Sequence, residues 1–380
     1  MRFAIVGCGY VADFYMSTLP NHPQLQLVGA FDHNPDRLRA FSAYHQVLPF
    51  ASLAQILDDS SIELVANLTN PRSHFAVSLA ALQEGKHVYS EKPMAMSVED
   101  ARALVDLAAK KNLLITSAPC SVLGETAQTI WKALREGMVG TPRLVYAELD
   151  DGPVPFLAYR DWISESGAPW PFKDEFEVGC TLEHAGYYLG MLLAFFGPVK
   201  QVTSFASILM GDKAVHLDQQ TPDFSVACLE FHCGVVARLT CGIYASHNHT
   251  LQIFGDQGIV STGAVWHYGS PVYLTRRTKL QKRLERHPNI ARLLGHGARK
   301  LPLVRPAKFR SSKGPNKMDF CRGIAELENA LQEKRSCRLS PEWACHMTEI
   351  TLAIQHPRLF GSPQELKTSF REMDPLPWAR

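Results

Sequence analysis

The sequence predicts an α/β first half, built on a doubly wound parallel sheet, followed by an α+β second half with a mostly antiparallel sheet. Three observations carry the prediction. Through residue 120, short apolar runs alternate with capped, helix-patterned segments. A glycine-rich turn at 7–12 joins the first apolar run to the first helical pattern. Beyond residue 120, strand-like segments separated by tight-turn residues take over. The expected units are therefore 1–120 and 121–380.

Arg2, Phe3, Ala4, Ile5 and Val6 form the first buried strand, and Gly7, Cys8, Gly9, Tyr10, Val11 and Ala12 complete the pattern GxGxx(G/A) directly behind it. This is the turn of a Rossmann half-domain. Gly7 permits the sharp bend, Gly9 lets backbone approach a pyrophosphate, and small Ala12 lets the next helix pack close to the strand, with the phosphate at its N-terminus. A second strand, 25–31, ends in Asp32, 23 residues after Gly9, which fits an acid reaching the ribose hydroxyls of a bound dinucleotide. His33 and Asn34 follow it, rather than Arg or Lys, which favours NAD; Arg37 keeps NADP open as a partner for a 2′-phosphate. Asn34, Pro35 and Asp36 supply a cap, a first-turn proline and an early acid for the next helix. Strand 64–68 runs into Thr69, Asn70 and Pro71, and the helix from Arg72, which contains His74, stops at Gly85. Strand 87–89 delivers Glu91, Lys92 and Pro93. Ser97 and Asp100 then resemble a capping box opening the helix that runs through Lys111. Loops at the carboxyl ends of such strands form the ligand crevice, so 7–12, Asp32, 69–74 and Lys92 are expected to converge there.

In the second half a helix at 128–136 closes at Gly137, and strands are expected at 144–149, 199–208, 225–232, 235–244 and 250–254. Cys233-Gly234 and the stretch from Gly255 to Gly258 read as hairpin turns. Helices return at 318–333 and 341–354.

A chain of 380 residues, 46% apolar and 20% charged, has the composition of an ordinary globular protein. Its net charge of +2 gives no general argument for a nucleic-acid partner. That average hides an insertion: between 275 and 317 there are 14 Lys or Arg residues against the single acid Glu285, or +13, leaving −11 elsewhere. Leu280, Leu284, Ile290, Leu293 and Leu294 suggest amphipathic helical pieces there, broken at His287 and Pro288. Three readings stay open for it: an insertion solvated on its charged face, a rim that draws in an anionic substrate through residues such as Arg283 and Arg286, or a contact to a peripheral membrane surface or acidic partner. Nine cysteines without metal-ligand spacing, and an N-terminus without a secretory pattern, lead to the expectation of reduced thiols in the cytoplasm. His247 and His249 could share one face of a strand, but with no neighbouring Cys or acid in the sequence they read as non-metal, and no metal is expected.

The glycine turn, Glu91-Lys92-Pro93 and the segment from Gly179 to Tyr187 together resemble the Gfo/Idh/MocA family of nicotinamide-dependent oxidoreductases, over nearly the whole chain. In that family the third segment usually reads D-x-G-x-H on a helix facing the nicotinamide. Here Glu183 stands for the Asp, Ala185 for the Gly and Tyr187 for the His; some branches of the family use Tyr at the last position. The resemblance implies a dehydrogenase moving hydride between NAD(P) and a secondary alcohol of a sugar, cyclitol or nucleotide-linked sugar, and a homo-oligomer. Its alternatives are an NAD-dependent glycosidase that works by transient oxidation and a catalytically inactive sugar-sensing protein.

The chemistry requires a base within reach of the substrate hydroxyl. Lys92 can stabilise developing alkoxide charge. Glu183 and Tyr187, four apart, share a helix face and could meet the same hydroxyl, with Tyr187 acting as base through a lowered pKa and Glu183 orienting both groups. His184 lies about 100° around the helix and is the third candidate. Trp170, in the loop 159–177, is expected either to wall the substrate site or to anchor its loop.

Overall fold

The computed structural model describes residues 1–264, 266–277, 297–310 and 317–380. Its first half is an all-parallel sheet in the order β2-β1-β3-β4-β5. The strands are β1 (Arg2–Val6), β2 (Gln26–Phe31), β3 (Leu64–Asn67), β4 (His87–Ser90) and β5 (Ile115–Ser117). Between them run α1 (Ala12–Thr18), α2 (Pro35–His45), α3 (Leu53–Asp58), α4 (His74–Gln83) and α5 (Val98–Lys111). β1 and β3 are buried almost without interruption, as strands covered on both faces must be. The chain leaves β1 for β2 on one side and returns to β3 on the other, so the crevice opens at the carboxyl ends of β1 and β3.

Local chemistry fixes the helix starts. The Asn34 side chain accepts from the N–H groups of Asp36 and Arg37, and Ser97 accepts from that of Asp100. Ser52 caps α3 in the same way, a helix too short to show a period in the sequence.

The second half contains α6 (Glu125–Arg135), β6 (Pro142–Asp150), α7 (Phe172–Val178), α8 (Cys180–His184) and α9 (Gly186–Phe196). There follow β7 (Val199–Ser207), β8 (Phe224–Phe231), β9 (Val236–Gly242), β10 (Leu251–Gly255), β11 (Gly258–Thr262), β12 (Val272–Arg276), β13 (Arg299–Leu301) and β14 (Gln364–Glu365). They form one sheet in the order β13-β12-β11-β10-β6-β9-β8-β7-β14. Only β6 and β9 are parallel among the described pairs. Burial alternates along β8 and β10, the pattern of a sheet with one covered face. Both expected hairpins are present, β8 to β9 and β10 to β11. The helix Pro341–Gln355 packs on β7 and β8 and also on α5 and β5, so the end of the chain fills the seam between the two sheets.

Of the basic insertion, the flanks are described: β12 and β13 pair as an edge of the large sheet. Arg305, though partly exposed, is paired: it lies 2.8 Å from the buried Glu125 and 3.7 Å over the Trp378 ring. The helical pieces expected around His287 and Pro288, with Arg283 and Arg286, lie outside the described residues. Among the described residues no helix is long and apolar enough to cross a membrane.

Candidate active site

The glycine turn is built as its residue types require. Gly7 has φ +99°, and a Cβ there would fall 2.6 Å from the Leu68 carbonyl carbon and oxygen at the end of β3. At Gly9 a Cβ would meet nothing within 4 Å, so the backbone faces open space of the kind a pyrophosphate needs. Asp32 rims this cradle. Its Oδ2 accepts from the Cys8 N–H and its Oδ1 from the Asn34 N–H, both at 2.8 Å, which ties the turn to the end of β2. An open cradle, an acid at its rim and the start of α1 behind it fit a nicotinamide dinucleotide.

The loops after β3 and β4 brace one another. His74, which the sequence left open between a structural role and a cofactor contact, is fully buried, with Nδ1 2.7 Å from the Pro93 carbonyl and Nε2 2.9 Å from that of Thr69. Thr69 donates to Asn67, Pro71 is buried at the head of a short turn, and Asn70 donates to Asp174 across the crevice at 2.6 Å. Glu91 is likewise engaged internally: its carboxylate accepts from the Tyr15 hydroxyl at 2.7 Å and from the Lys92 N–H at 3.1 Å. The Lys92-Pro93 bond is cis.

Lys92 leaves this loop toward the second half, where its ammonium donates to the Glu183 carboxylate. Burial alone would lower the lysine, but the facing charge of Glu183, with lesser contributions from Tyr187, Glu91 and Glu175, holds it above its ordinary value as a cation. Burial raises the Glu183 carboxyl, against the pull of Lys92. Glu183 lies in α8 and Tyr187 is the second residue of α9; the single helix expected through both is interrupted at Ala185. The lowered pKa expected of Tyr187 is corrected: burial pushes the phenol up and Lys92 offsets only part of that. Lys92 and Tyr187 therefore both present donors at neutral pH.

His184 turns away from this pair. Its Nδ1 lies 2.8 Å from Asp151, just beyond β6, and its Nε2 lies 2.9 Å from Glu175 on α7. Burial opposes its charge, but the two carboxylates overcome it and hold the imidazole protonated, raised to about 10. Asp151 in turn is pulled below the carboxylate range against its burial, by His184 and His249. Asp151 and Glu175 are site residues that sequence reasoning missed. The judgement that no acid accompanies His247 and His249 is also overturned, because the Asp150–Asn248 bridge brings Asp151 beside them, 2.8 Å from His249 Nε2. Trp170 anchors its loop, with its ring 4.9 Å from that of Trp162 and 6.1 Å from those of Tyr159 and Phe176. The aromatic wall beside Tyr187 is Trp266, at 5.2 Å between ring centroids.

Residues 1–118 match the family model described as "Oxidoreductase family, NAD-binding Rossmann fold", and residues 127–261 match the "GFO/IDH/MocA C-terminal domain". The chain is 29% identical over 148 residues to the UDP-N-acetylglucosamine 3-dehydrogenase of Acidithiobacillus ferrooxidans, covering 39% of this chain and 45% of that protein. It is 23% identical to the trans-1,2-dihydrobenzene-1,2-diol dehydrogenase of Bos taurus, covering 68% and 73%. Thus the chain spans about a third to just under half the length of some curated relatives it matches. Among solved structures, the WlbA dehydrogenase of Bordetella pertussis, in complex with NADH and UDP-GlcNAcA, superposes with a TM-score of 0.71 at 21% identity, covering 97% of this chain and 99% of that one. An identity that low speaks to the fold alone. With family models matching both halves, the chain belongs to the Gfo/Idh/MocA family of oxidoreductases.

Proposed function

We propose that this protein is an NAD-linked dehydrogenase that oxidises a secondary alcohol on a ring, or reduces the corresponding ketone, with a sugar, cyclitol or nucleotide-linked sugar as substrate. The observation that carries the reading is the Lys92–Glu183 ion pair spanning the crevice between the glycine-turn half and the second half, with Tyr187 alongside. A bound nicotinamide would supply the hydride acceptor or donor. The chain's own residues handle the oxygen. Lys92 and Tyr187 offer positive charge and a hydroxyl to the substrate oxygen, stabilising an alkoxide as it forms. In the oxidising direction Lys92 passes a proton to Glu183 and takes up the substrate's hydroxyl proton in its place, and in the reducing direction the two transfers run in reverse. His184, held between Asp151 and Glu175, positions the wall of the site.

Substrate class is supported by the relatives, two of which are named as dehydrogenases of a nucleotide sugar and of a ring diol. Cofactor choice is supported by Asp32 at the cradle rim. The test is to incubate purified protein and NAD with free and UDP-linked hexoses, N-acetylhexosamines, uronic acids and cyclitols, and to follow reduced nicotinamide by absorbance. Turnover with a member of this panel that disappears in Lys92→Met is the expected result. Cofactor binding without turnover on any of them, in either direction, would refute the assignment.

A further inference from the structure

Asp151 and the pair His247 and His249 are almost a hundred positions apart in the chain, yet one antiparallel bridge brings them together. The backbones of Asp150 and Asn248 exchange hydrogen bonds at 3.0 and 2.9 Å. Side chains alternate across such a bridge, so Asn248 and Asp150 point to one face while Asp151, His247 and His249 share the other. Their donor atoms, one from each residue, all lie within 4.8 Å of one another. Donors in a tetrahedral zinc site stand about 3.3 Å apart, so the group needs only small side-chain rotations to close on an ion.

We infer that Asp151, His247 and His249 form a binding site for one first-row divalent transition cation of the Zn²⁺ class. Two imidazoles and one carboxylate are the donor set such ions prefer, whereas Mg²⁺ and Ca²⁺ take all-oxygen sets. Three protein ligands leave a position open, as in zinc sites that engage a substrate or water. The surroundings resemble the outer support of a metal site. Asp151 Oδ2 lies 2.8 Å from His184, which is itself 2.9 Å from Glu175, so the carboxylate is held from behind, while an ion would take the place of the hydrogen now shared by Oδ1 and His249 Nε2, with that imidazole carrying its proton on Nδ1 instead. His249 is buried and its ring lies 4.3 Å from that of Trp266, while His247 reaches it from the exposed side, with the two imidazoles 4.1 Å apart. The Trp266 ring that lies against His249 also borders Tyr187, at 5.2 Å between centroids. The open position of the ion would thus lie on the wall of the crevice, available to an oxygen of whatever occupies it. The inference does not depend on the oxidoreductase reading, since it concerns binding of the ion and not turnover.

The experiment uses the full chain without a polyhistidine tag, stripped with a chelator and titrated with Co²⁺, whose visible ligand-field bands report both stoichiometry and coordination. Saturation at one equivalent, displacement by Zn²⁺, and loss of the bands in His249→Ala and Asp151→Asn are expected. His247→Ala is the decisive variant, because that side chain is exposed and its removal leaves the core and NAD binding intact; Co²⁺ affinity should fall at least about tenfold. Absence of saturable binding, or binding that survives His247→Ala unchanged, overturns the site. Bands showing thiolate ligation would do so as well, placing the ion on the exposed Cys228 or Cys233 instead. Nicotinamide binding and hydride transfer are measured separately on the same samples, so a failed metal site and a failed dehydrogenase assignment give different results.

Discussion

Replacing Lys92 by Met removes the ammonium and keeps a flexible apolar stem, and the structure sets the size of the effect. The side chains of Lys92 and Glu183 are only 16% and 9% exposed, so solvent does not substitute for the lost partner. At an effective dielectric of about 20, unit charges about 3 Å apart attract by about 5 kcal/mol, and breaking one side of such a buried pair typically costs about 3–5 kcal/mol of stability. The loss has a ceiling, because Glu183 is already raised by burial and will take up a proton once the lysine is gone. Catalysis carries a separate cost. Losing the charge that faces the substrate oxygen should slow turnover at least about a hundredfold, or about 2.7 kcal/mol of barrier. The assay combines denaturant unfolding, NAD binding by fluorescence titration and steady-state kinetics for Lys92→Met, Glu183→Gln and the double variant. Removing both charges should restore about 1–3 kcal/mol relative to the sum of the single losses. Turnover should not return with it. A Lys92→Met protein that is destabilised yet turns over like the unmutated one would reduce the pair to a structural clamp and refute the reasoning.

Asp32→Ala should weaken NAD more than NADP, because it removes the rim carboxylate and leaves Arg37 in place; tighter NADP binding by the unmutated protein would contradict the cofactor assignment. Gly9→Val puts a side chain into open space, so calorimetry should find cofactor binding lost with unfolding stability nearly unchanged. Tyr187→Phe removes only the hydroxyl, and a fall of about tenfold or more in kcat with cofactor affinity kept is expected; full activity across pH would clear Tyr187 of any role. His346 provides a stability test. Its Nε2 accepts from the Val199 N–H, and burial lowers it from 6.5 to about 4, so the unfolded chain binds the extra proton between those values. Its contribution is whole above the upper value and is lost as pH falls to about 4, by about 3 kcal/mol. The difference in stability between the native protein and His346→Gln should shrink over that window, and a pH-independent difference would refute it.

The first half was legible because its signals are local. Parallel strands read as apolar runs, and Asn34 and Ser97 mark helix starts by side chains that cap within three residues. Gly7 read correctly because its positive φ is a demand of the local backbone itself. Lys92 and Glu183 could be named, but their pairing across the crevice depends on how the two sheets dock. What escaped the sequence is non-local or environmental. Asp151 joins His249 only because β6 runs beside the strand region near residue 248, and nothing in the neighbourhood of either residue announces it. The direction of the Tyr187 shift was misjudged because burial outweighs a nearby cation, and burial belongs to the packed structure. The partners of His74, two loop carbonyls, and of Trp170, neighbouring aromatic rings, are likewise set by packing and not by local sequence.

The central claim is transfer of a hydride between a ring carbinol carbon and the nicotinamide. It is tested most directly with UDP-linked and free sugars deuterated at their ring carbinol positions, incubated with protein and NAD, followed by mass spectrometry of the cofactor. This detects transient as well as net oxidation. One deuterium appearing on the nicotinamide ring, dependent on Lys92, is the predicted result. Nicotinamide that stays unlabelled while bound to protein with substrate in the crevice would contradict the account.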